Sequence, residues 1–269
     1  MKLWWFKAVV GIIAGFAAVC GVPASAVVPE YDITVLKTYP HDPQAFTEGL
    51  LYKDGFLYEG TGLEGRSSIR KIRLKTGEIV QQRDLDPRYF GEGIVIWKNR
   101  LIELTYKSEI GLVYDFRTFV PISSFHYIGE GWGLTQDGTH LFMSDGSSDL
   151  RVLDPDSLTE TGRIAVTCDG RPVHSLNELE WVDGEIYANI WQTSVIARID
   201  PTTGQIVGLL DLSDLATRVG AGRTVDVLNG IAYDATGERL FVTGKFWPSV
   251  YQITLTRRSA VTGLCNALP

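Results

Sequence analysis

"FGEGIVIWKNRLIELT", residues 90–105, runs from a glycine-flanked glutamate through an apolar stretch, turns at Asn99 and enters a second apolar stretch. Short apolar runs bounded by turn residues read as two strands joined by a tight turn. The same unit recurs as "FTEGLLYKDGFLYEG" (46–60), "GWGLTQDGTHLFMS" (131–144), "LNELEWVDGEIYAN" (176–189) and "LNGIAYDATGERLFVT" (228–243). A third strand and another turn follow in four of the copies, as in "IRKIRLKTGEIV" (69–80) and "VIARIDPTTGQIV" (195–207). The turn residues at 55, 99, 138, 184 and 237 are spaced by 44, 39, 46 and 53. A strand–turn–strand repeat of ~40–50 residues is the mark of propeller blades. The expectation is therefore an all-β chain folded as a five-bladed β-propeller. The last unit lacks an outer strand, and "YDITVLKTYP" (31–40) precedes the first. The N-terminal strand is expected to join the last blade and close the ring, because closure removes open sheet edges.

Aligned on the first turn, the five units place Glu48, Glu92, Trp132, Asn177 and Asn229 in one column. Innermost strands line the centre of such a fold, so these side chains should converge. A slot that served structure alone would repeat one small or apolar residue. Two acids, two amides and an indole must instead be hydrogen-bonded or bind something.

The first 26 residues are of another kind. Lys2 and Lys7 flank a short charged region, Ala8 to Val22 is apolar, and Ala24 and Ala26 of "PASA" hold the small-residue positions of a cleavage site. This reads as a secretory signal over 1–26, cut after Ala26. An uncleaved anchor is disfavoured by the short apolar run, since a span needs ~20 residues. Lipidation at Cys20 is disfavoured by the preceding Val19. The expectation is an exported protein, periplasmic or secreted, with residues 27–269 as a single propeller domain ending in a short tail.

Cleavage removes two lysines and no acid, so the net charge of −7 becomes −7 − 2 = −9. An acidic exported domain is a poor binder of nucleic acid or anionic lipid. No stable membrane association is expected after cleavage, and the domain is read as a monomer. Cys168 and Cys265 remain. They are able to pair in an oxidising compartment, and the sequence leaves both a bridge and two free thiols open.

Glu92 has a bland reading as a turn carboxylate bonded to backbone amides. The column favours a functional one, and Gly91 and Gly93 let backbone or ligand approach closely. A free glutamate titrates near ~4.3, so acid–base work near neutrality needs desolvation. Tyr89, Phe90, Trp132, Trp191 and Trp247 are candidate walls. Lys245 of "VTGKFWPS" is either a snorkelling surface lysine or a cation at the same mouth. The aromatics beside it favour the second.

Other motifs fail. "GTGLEG" matches G-x-G-x-x-G at Gly60, Gly62 and Gly65 but precedes a strand, not a helix. The histidines at 41, 126, 140 and 174 lack zinc spacing. No G-x-S-x-G elbow is present. A single structural ion such as calcium, held on the axis by carbonyls or carboxylates, is compatible with the arrangement, and its ligands are unknown.

"DPQAFTEGL", "FGEG", "GWGLT", "MSDGS", "LNELEWVDGEIYANIW", "VLNGIA" and "TGKFWP" occur in this order. Together, from about Tyr31 to Leu255, they resemble the glutaminyl-peptide cyclotransferase family of plant and bacterial type. That resemblance implies a five-bladed propeller, unrelated to the zinc-dependent animal enzymes. It implies a reaction in which the α-amine of an N-terminal glutamine attacks its own side-chain amide, giving pyroglutamate and ammonia. No cofactor is required, and the partners are peptides or proteins with N-terminal Gln. The family's catalytic glutamate falls on Glu92, and its substrate-site positions fall on Phe46, Glu48, Phe90, Trp132, Asn177, Trp191 and Lys245. Asn177 and Lys245 are expected as catalytic polar partners of the reacting amide and carbonyl. Two positions depart from the pattern. Glu48 stands where many relatives have glutamine, and Tyr106 where they often have tryptophan. A non-catalytic peptide- or protein-binding propeller is the alternative, since fold alone does not give function.

Overall fold

A computed structural model describes residues 1–2, 27–260 and 262–269. The expected signal segment therefore lies outside the described residues, apart from its first two. Among the described residues no helix is long and apolar enough to cross a membrane.

The chain opens with β1 (Glu30–Pro40). The first repeat supplies β2 (Thr47–Lys53), β3 (Phe56–Thr61), β4 (Ser68–Arg73) and β5 (Glu78–Asp84). The second supplies β6 (Gly91–Trp97), β7 (Arg100–Thr105), β8 (Ile110–Asp115) and β9 (Pro121–His126). The third supplies β10 (Leu134–Gln136), β11 (Leu141–Met143), β12 (Asp149–Leu153) and β13 (Glu160–Ala165), followed by a small ribbon of β14 (Thr167–Cys168) and β15 (Arg171–Pro172). The fourth supplies β16 (Leu176–Val182), β17 (Glu185–Ile190), β18 (Val195–Ile199) and β19 (Ile206–Asp211), then α1 (Ser213–Gly220). The fifth supplies β20 (Leu228–Asp234), β21 (Arg239–Gly244) and β22 (Ser249–Arg257), and α2 (Leu264–Ala267) ends the chain.

The all-β character holds, but the expected five-bladed propeller, closed by the N-terminal strand in its last blade, is corrected by the strand pairing. The first three repeats form separate four-stranded sheets. The fourth and fifth do not. They are joined into one sheet in the order β16-β17-β18-β19-β1-β22-β21-β20. The strand β1 runs antiparallel to β22 from Tyr31↔Arg257 to Pro40↔Ser249. Its first residues also run parallel to β19 from Glu30↔Leu209 to Asp32↔Asp211. The ends of this sheet meet, for the Ile231 N–H on β20 donates to Glu178 Oε2 on β16 at 2.9 Å. The architecture is a nearly closed eight-stranded sheet with three four-stranded sheets and a ribbon, not a clear five-bladed propeller. The physical reason is that a strand has two hydrogen-bonding edges. Counting repeats accounted for one edge of β1 and left the other unassigned.

The apolar positions explain why the repeats pack. Alternate residues on each strand face neighbouring repeats. Ile69 of the first repeat packs with Leu101 and Ile94 of the second. Ile102 packs with Leu141 and Met143 of the third. Phe142 and Leu150 pack with Leu179 and Ile186 of the fourth. Ile196 and Leu210 pack with Ile231 and Val242 of the fifth. Phe241 and Val250 pack back on Leu50 and Leu57 of the first. The five clusters form a closed cycle, so the inner strands β2, β6, β10, β16 and β20 are held at one centre. Cys168 and Cys265 form a disulfide across 97 residues of chain, tying α2 to the β14–β15 ribbon.

Candidate active site

The inner strands do not pair regularly where they approach the site. Between β2 and β3 the register skips at Glu48, and between β6 and β7 it skips across Glu92 and Gly93. Between β16 and β17 it skips across Asn177 and Glu178, and between β20 and β21 across Asn229 and Gly230. A bulge frees a residue from the ladder and re-aims its side chain. Four of the five column residues are thus turned toward the centre by one device.

Gly93 shows why glycine flanks the glutamate. Its N–H donates to the Trp132 carbonyl at 2.7 Å. A Cβ at Gly93 would stand 2.5 Å from that oxygen and 2.7 Å from Gly133 Cα. Gly91 is nearly as tight, with Thr61 O and Glu103 Oε1 each 2.8 Å from where a Cβ would be. The glycines permit backbone contact between adjacent repeats, and Glu92 is carried into the centre between them.

A cavity of about 340 Å³ opens there. It is lined by Phe46, Glu48, Phe90, Glu92, Tyr106, Trp132, Asn177, Trp191 and Lys245, which are all nine residues expected from the sequence. Of the candidate walls, Tyr89 and Trp247 are not in it. Trp247 is a core residue whose indole N–H donates to the Asp226 carbonyl at 3.0 Å. Asn229 is also outside the cavity, beneath its floor. Its side-chain amide donates to Thr47 O at 2.9 Å and to Glu48 Oε2 at 3.2 Å.

The floor is polar and buried. Glu48, Glu92, Asn177 and Lys245 are each 5% exposed or less. Lys245 Nζ donates to Glu48 Oε1 at 2.7 Å and lies 4.4 Å from the centre of the Phe46 ring. Asn177 Oδ1 is buried and has no hydrogen-bond partner within the protein. The walls are aromatic. Phe46 meets Phe90 edge-on at 6.0 Å, Phe90 meets Tyr106 at 5.7 Å, and Trp132 meets Trp191 edge-on at 5.6 Å.

A family description for glutamine cyclotransferase matches residues 8–255 of the chain. A glutaminyl-peptide cyclotransferase of Arabidopsis thaliana is 44% identical over 236 residues, covering 86% of this chain and 74% of that protein. The chain belongs to the glutamine cyclotransferase family. The crystal structure of Myxococcus xanthus glutaminyl cyclase superposes with a TM-score of 0.81 at 34% identity. That match covers 87% of this chain and all of that one.

Burial sets the protonation of the cyclotransferase floor. It pushes the Glu92 carboxyl well above the ordinary range, the nearby Glu48 charge adds to the rise, and Lys245 opposes it. Burial also raises Glu48, to about 7, against the pull of Lys245, with Asp226 raising it further. Desolvation outweighs even a 2.7 Å ammonium contact because both groups have lost water.

Three lining residues escaped the sequence reading: Gln192, Asp226 and Val227. Gln192 directly follows Trp191, so adjacency was an available signal. Asp226 lies in a connection without a counterpart in the other repeats, and no pattern marked it. A second buried polar set was also missed, although it repeats. Glu59, Glu103, Ser144, Asn189 and Thr243 sit in the second half of the second strands or just beyond, and are 1% exposed or less. Some brace the bulges. Ser144 Oγ accepts from Gly133 N–H and donates to the Asn177 carbonyl, both at 2.7 Å. Asn189 Oδ1 accepts from Gly230 N–H at 3.0 Å.

Among the described residues no group of three or more His, Cys, Asp or Glu is placed to hold a metal ion. Glu178, at the centre beneath the site, has one carboxylate oxygen on Leu50 N–H at 3.2 Å and the other on Ile231 N–H. Burial pushes its carboxyl up, toward the neutral form. Each of its oxygens accepts one backbone amide and keeps a second lone pair.

Proposed function

We propose that this cavity takes the N-terminal glutamine of a peptide or protein and closes it to pyroglutamate, releasing ammonia, with Glu92 as proton shuttle. The observation that carries this reading is the unpartnered Asn177 Oδ1 on a buried floor shared with Glu92. An orphaned buried acceptor is costly unless a ligand supplies a donor, and the side-chain amide of glutamine supplies one.

The rest follows from placement. Aromatic walls bury the glutaminyl chain and hold its amine against its own amide carbon, which removes much of the entropic barrier. Lys245 spends one N–H on Glu48 and keeps two for the oxygen that becomes negative in the tetrahedral intermediate. Glu92, kept neutral by burial, protonates the departing nitrogen and regains a proton from the ring nitrogen. The reaction needs no cofactor and no added water. The proposal extends to an exported monomer with Val27 as mature N-terminus, which intact-mass measurement of the exported protein tests.

The experiment is ammonia release from a Gln-initiated peptide. Wild type turns over and Glu92→Gln loses at least about 10²-fold in kcat. Peptide binding without ammonia from the wild-type protein would instead leave a binding module.

A further inference from the structure

Two carboxyl groups lie on this floor, and the shuttle described above uses one. Resting on that reading, we propose that Glu48 is a second catalytic carboxyl. Glu48 and Glu92 hold one proton between them, so the site presents a base and an acid at the same time.

The geometry carries the proposal. Both carboxyls line the cavity, and both are buried. Each carboxyl acts on the titration of the other across that cavity. The other contacts of Glu48 are donors: Lys245 Nζ at 2.7 Å on Oε1 and Asn229 Nδ2 at 3.2 Å on Oε2. Those donors favour the ionised form of Glu48, whereas among the described residues the buried ammonium of Lys245 pairs with Glu48 and not with Glu92. Two buried carboxyls lining one cavity cannot both ionise cheaply, so one proton stays in the pair. The charged and titratable groups facing Glu48 are Lys245, Glu92, Asp226 and, from below, Glu178. Those facing Glu92 are Glu48, Lys245, Glu130, Glu103 and Tyr127. Lys245 is the cation among them. The acids around it raise the affinity of the pair for its proton.

The arrangement answers a requirement of the chemistry. A free α-amine is mostly protonated below its pKa of ~7.7–8.0 and cannot attack in that form. Glu48 carboxylate takes one proton from the α-ammonium. The freed amine forms the new C–N bond at the side-chain carbonyl carbon, whose oxygen becomes negative. Glu92–H protonates the amide nitrogen, the old C–N bond breaks, and ammonia leaves. The ring nitrogen returns a proton to Glu92. Glu48 gives its proton to ammonia or solvent, and ammonium and pyroglutamate balance the starting ammonium and amide.

Glu48→Gln keeps the shape and removes the second carboxyl. Expected for wild type is a two-limbed pH profile of kcat, reporting the pair and not either residue alone. Glu48→Gln should lose the acid limb and shift the alkaline limb to lower pH, because removing a like charge lets Glu92 ionise sooner. Its kcat should fall about 10²-fold with KM within about threefold. An unchanged two-limbed profile with kcat within about threefold of wild type overturns the proposal and leaves Glu48 as an anchor for Lys245. Should the variant not fold, carbon NMR of wild-type protein labelled at the glutamate carboxyls decides. Two signals that each move in the same two steps support the pair, and one-step independent titrations overturn it. A wild-type protein that releases no ammonia sinks the cyclotransferase reading. An active wild type with an unaffected Glu48→Gln sinks only this inference.

Discussion

Lys245 Nζ and Glu48 Oε1 are 2.7 Å apart although 197 residues separate them in the chain. The contact joins the last repeat to the first across the floor of the cavity. Breaking it should cost activity more than fold, because Glu48 is able to take up a proton once its cation is gone. Lys245→Met is expected to lower kcat by about 10²-fold or more, with the far-ultraviolet dichroism unchanged. Activity within threefold of wild type would show that the ammonium does not serve the reacting oxygen.

Asn177 separates binding from stability. Its Oδ1 has no partner in the unliganded protein. Asn177→Ala should therefore lower kcat/KM by roughly 10–100-fold, the worth of about 1–3 kcal/mol of hydrogen bonding to substrate. The urea midpoint should stay near that of wild type. A large stability loss with unchanged kinetics would make Asn177 a structural residue.

Gly93→Ala tests the close approach of neighbouring repeats. The added methyl would meet backbone atoms at 2.5 and 2.7 Å, and backbone cannot swing aside as a flexible side chain does. A loss of about 1–3 kcal/mol is expected by denaturant unfolding. A neutral result would mean that the second and third repeats are able to part without cost.

His41 and Glu59 make a buried pair beside the site, at 2.8 Å, and His41 Nδ1 lies 2.7 Å from the Trp247 carbonyl. Burial works against the charged His41, but Glu59 wins and raises its pKa. Burial works against the charged Glu59, but His41 and then Arg70 win and lower its pKa. His41→Gln leaves Glu59 buried without its closest cation and should cost about 3–5 kcal/mol. The raised His41 pKa stabilises the fold fully below ~6.5, and this contribution fades as pH rises through the folded value. The lowered Glu59 pKa acts from the other side, fading as pH falls through its folded value. Unfolding midpoints of wild type and variant should converge in strongly alkaline buffer, and a gap that stays constant there would exclude an imidazolium.

What the sequence determined by itself is local. Five strand–turn–strand units, the turns between them and the alternation that buries Leu50, Ile94, Leu134, Leu179 and Ile231 follow from periodicity. Strand and turn preferences act over a few residues and are written in the order of the chain. Residues of the column were visible for the same reason, since Glu48, Glu92, Asn177 and Asn229 occupy one register position that a repeat reveals. The tertiary structure decided what depends on edges and on burial. It placed β1 between β19 and β22 and so fused two repeats into one sheet, because either edge of a strand satisfies a neighbour's amides. It brought Asp226 to the cavity from a connection with no repeat to mark it. It also set the charge on the floor. Glu48 and Glu92 are ordinary carboxyls in sequence, and only the loss of water around both, beside a single ammonium, makes them compete for one proton.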